Sequence, residues 1–206
     1  MTTQSMEQWT FPPRFDADYL PAAGSRYWFP ARETMPAGDR EKAIVERLKH
    51  VTRYAFDTSP FYRRHWDAAG FHPDHLRSLE DFETKVPVVT KRDLRDAQTR
   101  VPPFGDYLCV PAQRVHRIHG TSGTTGRPTA FAIGRADWDA IAHAHARIMW
   151  GMGLRPGDIV FVAAIFSLYM GSWGALAGAE RLRAQAFPFG AGAPGMTARA
   201  ASRNES

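Results

Sequence analysis

"RVHRIHGTSGTTGRPTAFAIG", residues 114–134, sets a loop rich in glycine and hydroxyl groups between two short patterned segments. "RVHRIH" (114–119) alternates apolar and basic residues, as a half-exposed strand does, and "TAFAIG" (129–134) reads as a second strand. From His119 to Ala130 the chain holds three glycines and five Ser/Thr hydroxyls. Gly120, Gly123 and Gly126 admit positive φ and let backbone approach a ligand without a Cβ in the way. Thr121, Ser122, Thr124 and Thr125 offer short donors, and successive N–H groups in such a turn form an anion-binding nest. Arg127 adds a delocalised cation matched to phosphate oxygens. The combination suits a polyphosphate. It is neither G-x-x-x-x-G-K-[ST] nor G-x-G-x-x-G, and it leads into a strand rather than a helix. A flexible linker shares the composition, yet linkers seldom run between two patterned strands or leave through Arg-Pro.

Downstream, "RADWDAIAHAHARIMWG" (135–151) carries Trp138, Ile141, Ala142, His145 and Ile148/Met149 on one side, an amphipathic helix ending at Gly151. "IVFVAAIF" (159–166) is the continuous apolar run expected of a strand covered on both faces. "GSWGALAGAERLRAQ" (171–185) reads as a helix packing closely through small residues, and "AFPF" (186–189) as the next short strand. This alternation predicts an α/β fold with a largely parallel sheet.

Upstream, residues 1–38 read as an extended Pro-rich arm packed by Trp9, Phe11, Phe15, Tyr19, Tyr27 and Trp28. From Asp39 the pattern turns helical, with Ile44, Leu48, Val51 and Ala55 on one face. "TSP" (58–60) stops that helix, and a shorter one ends at Gly70, a natural C′ glycine. "SLED" and "TKRD" match the Ser/Thr-x-x-acid capping pattern, so short helices are predicted to begin at Ser78 and Thr90. The chain thus divides into the arm and a unit over 39–206, helical over 39–100 and α/β over 114–190.

Composition narrows the function. The net charge of +5 invites a nucleic-acid reading, but the arginines are scattered among acids, and lysine occurs only at 42, 49, 85 and 91. No nucleic-acid partner is expected; a basic balance also suits an anionic small molecule. No apolar run reaches the roughly 18 residues that span a bilayer. The start has no basic region followed by an apolar core, so a signal peptide is not expected either. The lone Cys109 precludes an internal disulfide, in keeping with a cytoplasmic location. His143 and His145 stand i, i+2 on a helix and cannot face one metal, and His72 and His75 lack a third ligand, so no metal site is predicted. His119 precedes the loop and reads as a strand-end histidine satisfied by backbone, with contact to a phosphate or substrate as the alternative.

"TSGTTGRP" (121–128) resembles the phosphate-binding signature of the acyl-adenylate-forming enzymes. "YWFPARETMP" (27–36), the stretch 61–96 and "GAERLRAQAFPFGAG" (178–192) are similar to phenylacetate–CoA ligases, so the resemblance covers roughly residues 27 to 200. It implies an AMP-forming acid–CoA ligase, in which a carboxylate attacks the α-phosphate of ATP and CoA thiol then displaces AMP. ATP, Mg2+ and CoA are the cofactors and co-substrates so implied, with a small aromatic or other carboxylic acid as substrate. By the same resemblance Thr121, Ser122, Gly123, Thr124, Thr125 and Gly126 contact the phosphates, and Arg127 stands where many relatives carry Lys. Phe166, Tyr169 and Met170 fall where the family places residues near the acid, although "IFSLYMGSWG" departs from the usual pattern and core packing explains them equally.

The adenine-binding segment, the hinge and the mobile domain with the catalytic lysine have no counterpart before Ser206. The expected fold is therefore the N-terminal part of the acyl-adenylate-forming fold: a helical and extended region, then an incomplete, mostly parallel sheet with flanking helices. The catalytic residues are not assigned, and negligible turnover is expected of these residues alone. Two further readings stay open, a non-catalytic nucleotide- or partner-binding remnant and a related adenylating enzyme acting on another acid or acceptor. An incomplete sheet also predicts self-association through its exposed edge.

Overall fold

In the computed structural model, residues 16, 18–121 and 128–190 are described. Local signals account for most of the helices. After a single turn α1 (Pro30–Glu33), α2 runs Ala37–Thr58 and α3 Pro60–Ala68. Ser59 separates α2 from α3 and caps the second by accepting the Tyr62 N–H. The α3 exit passes through Gly70 at φ +70°, where a side chain is strained. The predicted capping residues start α4 (Leu79–Lys85) and α5 (Lys91–Arg100). Ser78 accepts the Asp81 N–H, while Thr90 and Asp93 form a reciprocal capping box.

The buried face of α2 differs from the apolar stripe. Val45 and Thr52 are buried, whereas Ile44 and Val51 are exposed. Thr52 goes inward because its hydroxyl donates to the Leu48 carbonyl at 2.8 Å, so its burial leaves no polar atom unpaired.

β1 (Val115–Gly120) and β2 (Ala130–Gly134) pair antiparallel, with His119 opposite Phe131 and Gly120 opposite Ala130. The loop therefore closes a hairpin. α6 (Arg135–Gly151) follows directly, then β3 (Ile159–Phe161), α7 (Met170–Arg181) and β4 (Gln185–Phe187). β3 and β4 pair parallel across α7, so among the described residues the parallel pairing is confined to this unit. The apolar run at 159–166 forms only three strand residues, and Ile159 and Phe161 are exposed, because no second layer covers that face among the described residues.

The core joins both ends of the described chain. Trp28 is 1% exposed and packs with Ala146, Met149 and Trp150 of α6 and with Ala179 and Leu182 at α7. Its indole N–H donates to His143 Nε2 at 3.1 Å. Tyr19 and Phe29 lean on the same cluster, so the arm is packed by its aromatic residues there. Trp9, Phe11 and Phe15 lie outside the described residues.

α6 buries Trp138, Ala142, His143, Ala146, Met149 and Trp150, while Ile148 is 54% exposed. α7 comes close through glycine: a Cβ on Gly178 would lie 2.4 Å from that of His145, and one on Gly174 2.5 Å from its ring. The small-residue helix fits α6 for that reason.

Candidate functional site

The stem of the loop is closed from both strands. Thr121 N–H donates to the Thr129 carbonyl at 3.1 Å, and Thr129 N–H donates back to the Thr121 hydroxyl at 3.1 Å. Thr129 is fully buried, and its hydroxyl accepts Arg95 Nε–H at 3.3 Å from α5. Gln98 and Tyr107 both donate to the Ala130 carbonyl, at 2.7 and 2.8 Å. A Cβ on Gly120 would sit 3.3 Å from the Thr129 carbonyl oxygen, tight enough to spread the stem. Of the expected phosphate ligands only Thr121 lies among the described residues; Ser122, Gly123, Thr124, Thr125, Gly126 and Arg127 lie outside them.

A third segment meets the stem. The Leu168 carbonyl accepts Gly120 N–H at 2.9 Å and lies 3.2 Å from His119 Nδ1. His119 is thus satisfied by backbone on that side; its ring stacks on Trp138 at 5.6 Å, and Nε2 is buried without a partner among the described residues. Arg117 lies over the other partner of this stack, 4.0 Å from the Trp138 ring. Leu168 belongs to the stretch from β3 to α7 that also carries the expected acyl-pocket residues. Phe166 packs edge-on against Trp173 at 5.0 Å, while Tyr169 and Met170 are exposed. The fold therefore brings Phe166, Tyr169 and Met170 into the segment bonded to the loop stem.

The stem partners Arg95, Gln98, Tyr107 and Leu168 carry no motif. Arg95 and Gln98 share one face of α5, and their separation from Thr129 and Ala130 is more than thirty residues. His143 faces Trp28, whereas His145 is covered by α7. His72 and His75 cap a local turn, where His72 also meets the Phe56 ring edge-on at 4.9 Å, and among the described residues no three His, Cys, Asp or Glu side chains gather as a metal site.

Sequence comparison decides the family. The chain is 41% identical over 160 residues to the phenylacetate–coenzyme A ligase of Escherichia coli K12, covering 78% of this chain and 35% of that one. The phenylacetate–coenzyme A ligase of Thermus thermophilus is 37% identical over 163 residues, with 79% and 35% covered. The chain belongs to the phenylacetate–CoA ligase-like branch of the acyl-adenylate-forming superfamily. No family model matches it.

A solved 2-hydroxyisobutyryl-CoA ligase, in complex with 2-HIB-AMP and CoA in the thioesterification state, superposes with a TM-score of 0.89 at 71% identity. That match covers 94% of this chain and 41% of the ligase. The same ligase in its postadenylation state with 2-HIB-AMP gives 0.88 at 69% identity. The architecture is the N-terminal part of the acyl-adenylate-forming ligase fold. The chain spans about a third to two-fifths of the length of these relatives. No helix among the described residues is long and apolar enough to cross a membrane.

Proposed function

We propose that the chain supplies the phosphate-loop part of an AMP-forming acid–CoA ligase. The observation that carries this reading is the 71% identity, over 94% of the chain, to a ligase solved with an acyl-AMP and CoA. The carboxylate of the acid attacks the α-phosphate of ATP, pyrophosphate leaves, and CoA thiol then displaces AMP from the acyl-adenylate. Thr121, Ser122, Gly123, Thr124, Thr125, Gly126 and Arg127 hold the β- and γ-phosphates and stabilise charge on the leaving pyrophosphate. The loop's hydroxyls, N–H groups and Arg127 fit that anion in chemistry, and Thr121 and Thr129 bond to each other at its two ends. Mg2+ arriving with the nucleotide supplies further neutralisation of the phosphates. Phe166, Tyr169 and Met170 line the acyl side of the site.

The higher identity to the 2-hydroxyisobutyryl-CoA ligase than to the phenylacetate ligases favours a short branched hydroxy acid over an aromatic one. The protein acts in the cytoplasm, where ATP and CoA are at hand and the lone Cys109 stays reduced.

A chimera tests the proposal: residues 1–190 replace the matching part of that 2-hydroxyisobutyryl-CoA ligase, and AMP release is followed with 2-hydroxyisobutyrate or phenylacetate. Acid- and CoA-dependent AMP is expected from the chimera and not from the 206-residue chain alone. A folded chimera without turnover sinks the ligase reading. Greater turnover with phenylacetate reverses the choice of acid.

The β3–β4 pair carries a further expectation. Ile159, Phe161 and Phe187 are 55%, 39% and 43% exposed, on two strands whose outer edges are unpaired among the described residues. Such an edge invites pairing with another copy. The isolated chain is expected to grow in mass with concentration by light scattering. A constant monomer mass from micromolar to millimolar concentration overturns this.

A further inference from the structure

Between β3 and α7 the backbone has no regular structure: residues 162–169 form neither strand nor helix. Carbonyls in such a stretch need partners from outside it. On one side α7 provides them. The Ser172 hydroxyl donates to the Ile165 carbonyl at 2.7 Å, and the Trp173 indole N–H donates to the Ser167 carbonyl at 2.8 Å. On the other side the partners come from the end of β1. The Leu168 carbonyl accepts Gly120 N–H at 2.9 Å, and His119 Nδ1 stands 3.2 Å from the same oxygen. A carbonyl can only accept, so Nδ1 carries the proton and donates. One oxygen thus takes a main-chain and a side-chain donor from consecutive residues.

The surroundings of His119 suit that bond. The residue is 5% exposed, so its donor acts where water competes little. Its ring stacks on Trp138 of α6 with the planes 8° apart, which fixes the direction of Nδ1. Nε2 is buried without a partner, so among the described residues the polar work of the ring is done by Nδ1. The two segments also touch: a Cβ on Gly120 would lie 3.5 Å from Leu168 Cδ1.

We infer that His119 is a positioning residue, whose Nδ1–H holds the backbone of residues 166–170 against the loop stem and so sets where the acid meets the nucleotide. This rests on the proposed reading in which the loop takes the phosphates of ATP and Phe166, Tyr169 and Met170 line the acyl side. Tyr169 follows the held carbonyl directly and Phe166 stands two residues before Leu168, so a shift of that peptide moves both. His119 itself touches neither substrate; it acts through Leu168.

Two variants separate the donor from the ring. His119→Phe keeps an aromatic ring against Trp138 and deletes the N–H, whereas His119→Asn gives up the stack and places a side-chain N–H close to where Nδ1 stood. Hydrogen exchange by mass spectrometry on the 206-residue chain, at micromolar concentration, reads the bond through the Gly120 amide and the peptides over 162–173. His119→Phe is expected to speed exchange there about three- to tenfold, the effect of losing one hydrogen bond, and to leave α2 unchanged. His119→Asn should stay nearer the parent. The reverse order, or equal exchange in all three proteins, overturns the inference, because the histidine then serves packing or nothing. If neither variant folds, nitrogen NMR of the unaltered chain decides: the ring proton is expected on Nδ1, and a proton on Nε2 alone overturns the inference. In the chimera, His119→Phe should lower kcat/KM for the acid about three- to tenfold and leave the KM for ATP unchanged, with His119→Asn restoring most of the loss. An unchanged value for the acid, or an equal loss for ATP, overturns the positioning role. A parent chimera without turnover overturns the ligase reading instead, and hydrogen exchange still decides whether His119 holds the segment.

Discussion

Trp28→Ala is expected to lower the stability of the chain by about 3–5 kcal/mol, the usual cost of removing a buried tryptophan. Against a typical domain stability of about 5–15 kcal/mol, that approaches unfolding. Trp28 is 1% exposed and touches α6 and α7 together, so the cavity would open where three segments meet. Its loss also removes the buried hydrogen bond from the indole N–H to His143 Nε2. The measurement is denaturant unfolding at pH 8. There His143, with a folded pKa of about 3 against an ordinary value of 6.5, is neutral in both states and contributes no proton linkage. Below pH 6.5 the unfolded chain takes the proton first, and stability falls as pH falls, which would blur the comparison. Trp28→Phe keeps much of the volume while losing the N–H donor and the second ring, so a smaller loss is expected. A loss under about 1 kcal/mol for the alanine variant would show that the arm is not part of the cooperative core.

The elements that sequence disclosed are those governed by neighbouring residues. Ser78, Thr90 and Gly70 mark helix ends because a cap or a left-handed turn depends on a few adjacent positions. The hairpin around the loop and the glycine face of α7 were legible for the same reason. What escaped depends on partners far along the chain. On α2 the apolar stripe includes Ile44, yet Ile44 is exposed while Thr52 goes inward. Hydrophobicity alone cannot register a hydroxyl that is satisfied within its own helix. The run at 159–166 has the composition of a doubly covered strand, but covering depends on elements that pack above it, not on the run. At the candidate site, the run of glycines and hydroxyls was plain in the sequence, whereas the support of its stem was not. Arg95 reaches Thr129 only because α5 folds back beside the hairpin.

Thr124→Val in the chimera is expected to lower the rate of acid-dependent pyrophosphate release about 100-fold or more, the cost of removing one donor to a developing oxyanion. Valine keeps the shape of threonine and deletes the hydroxyl, so the change tests a donor rather than a volume. The loop's proposed work is confined to the departing pyrophosphate, and that group is gone once the acyl-adenylate exists. Thioester formation from supplied acyl-AMP and CoA should therefore run at the parent rate. A variant that slows both half-reactions equally points instead to a disturbed stem, because Thr121 and Thr129 hold β1 to β2 beneath the loop. Arg127 provides the second half of the test. Arg127→Lys retains the charge but not the fork, and Arg127→Gln removes the charge. If the residue acts as a cation on the phosphates, lysine should preserve most of the adenylation rate and glutamine should not. Equal losses from both would mean that the bidentate geometry is what the pyrophosphate requires.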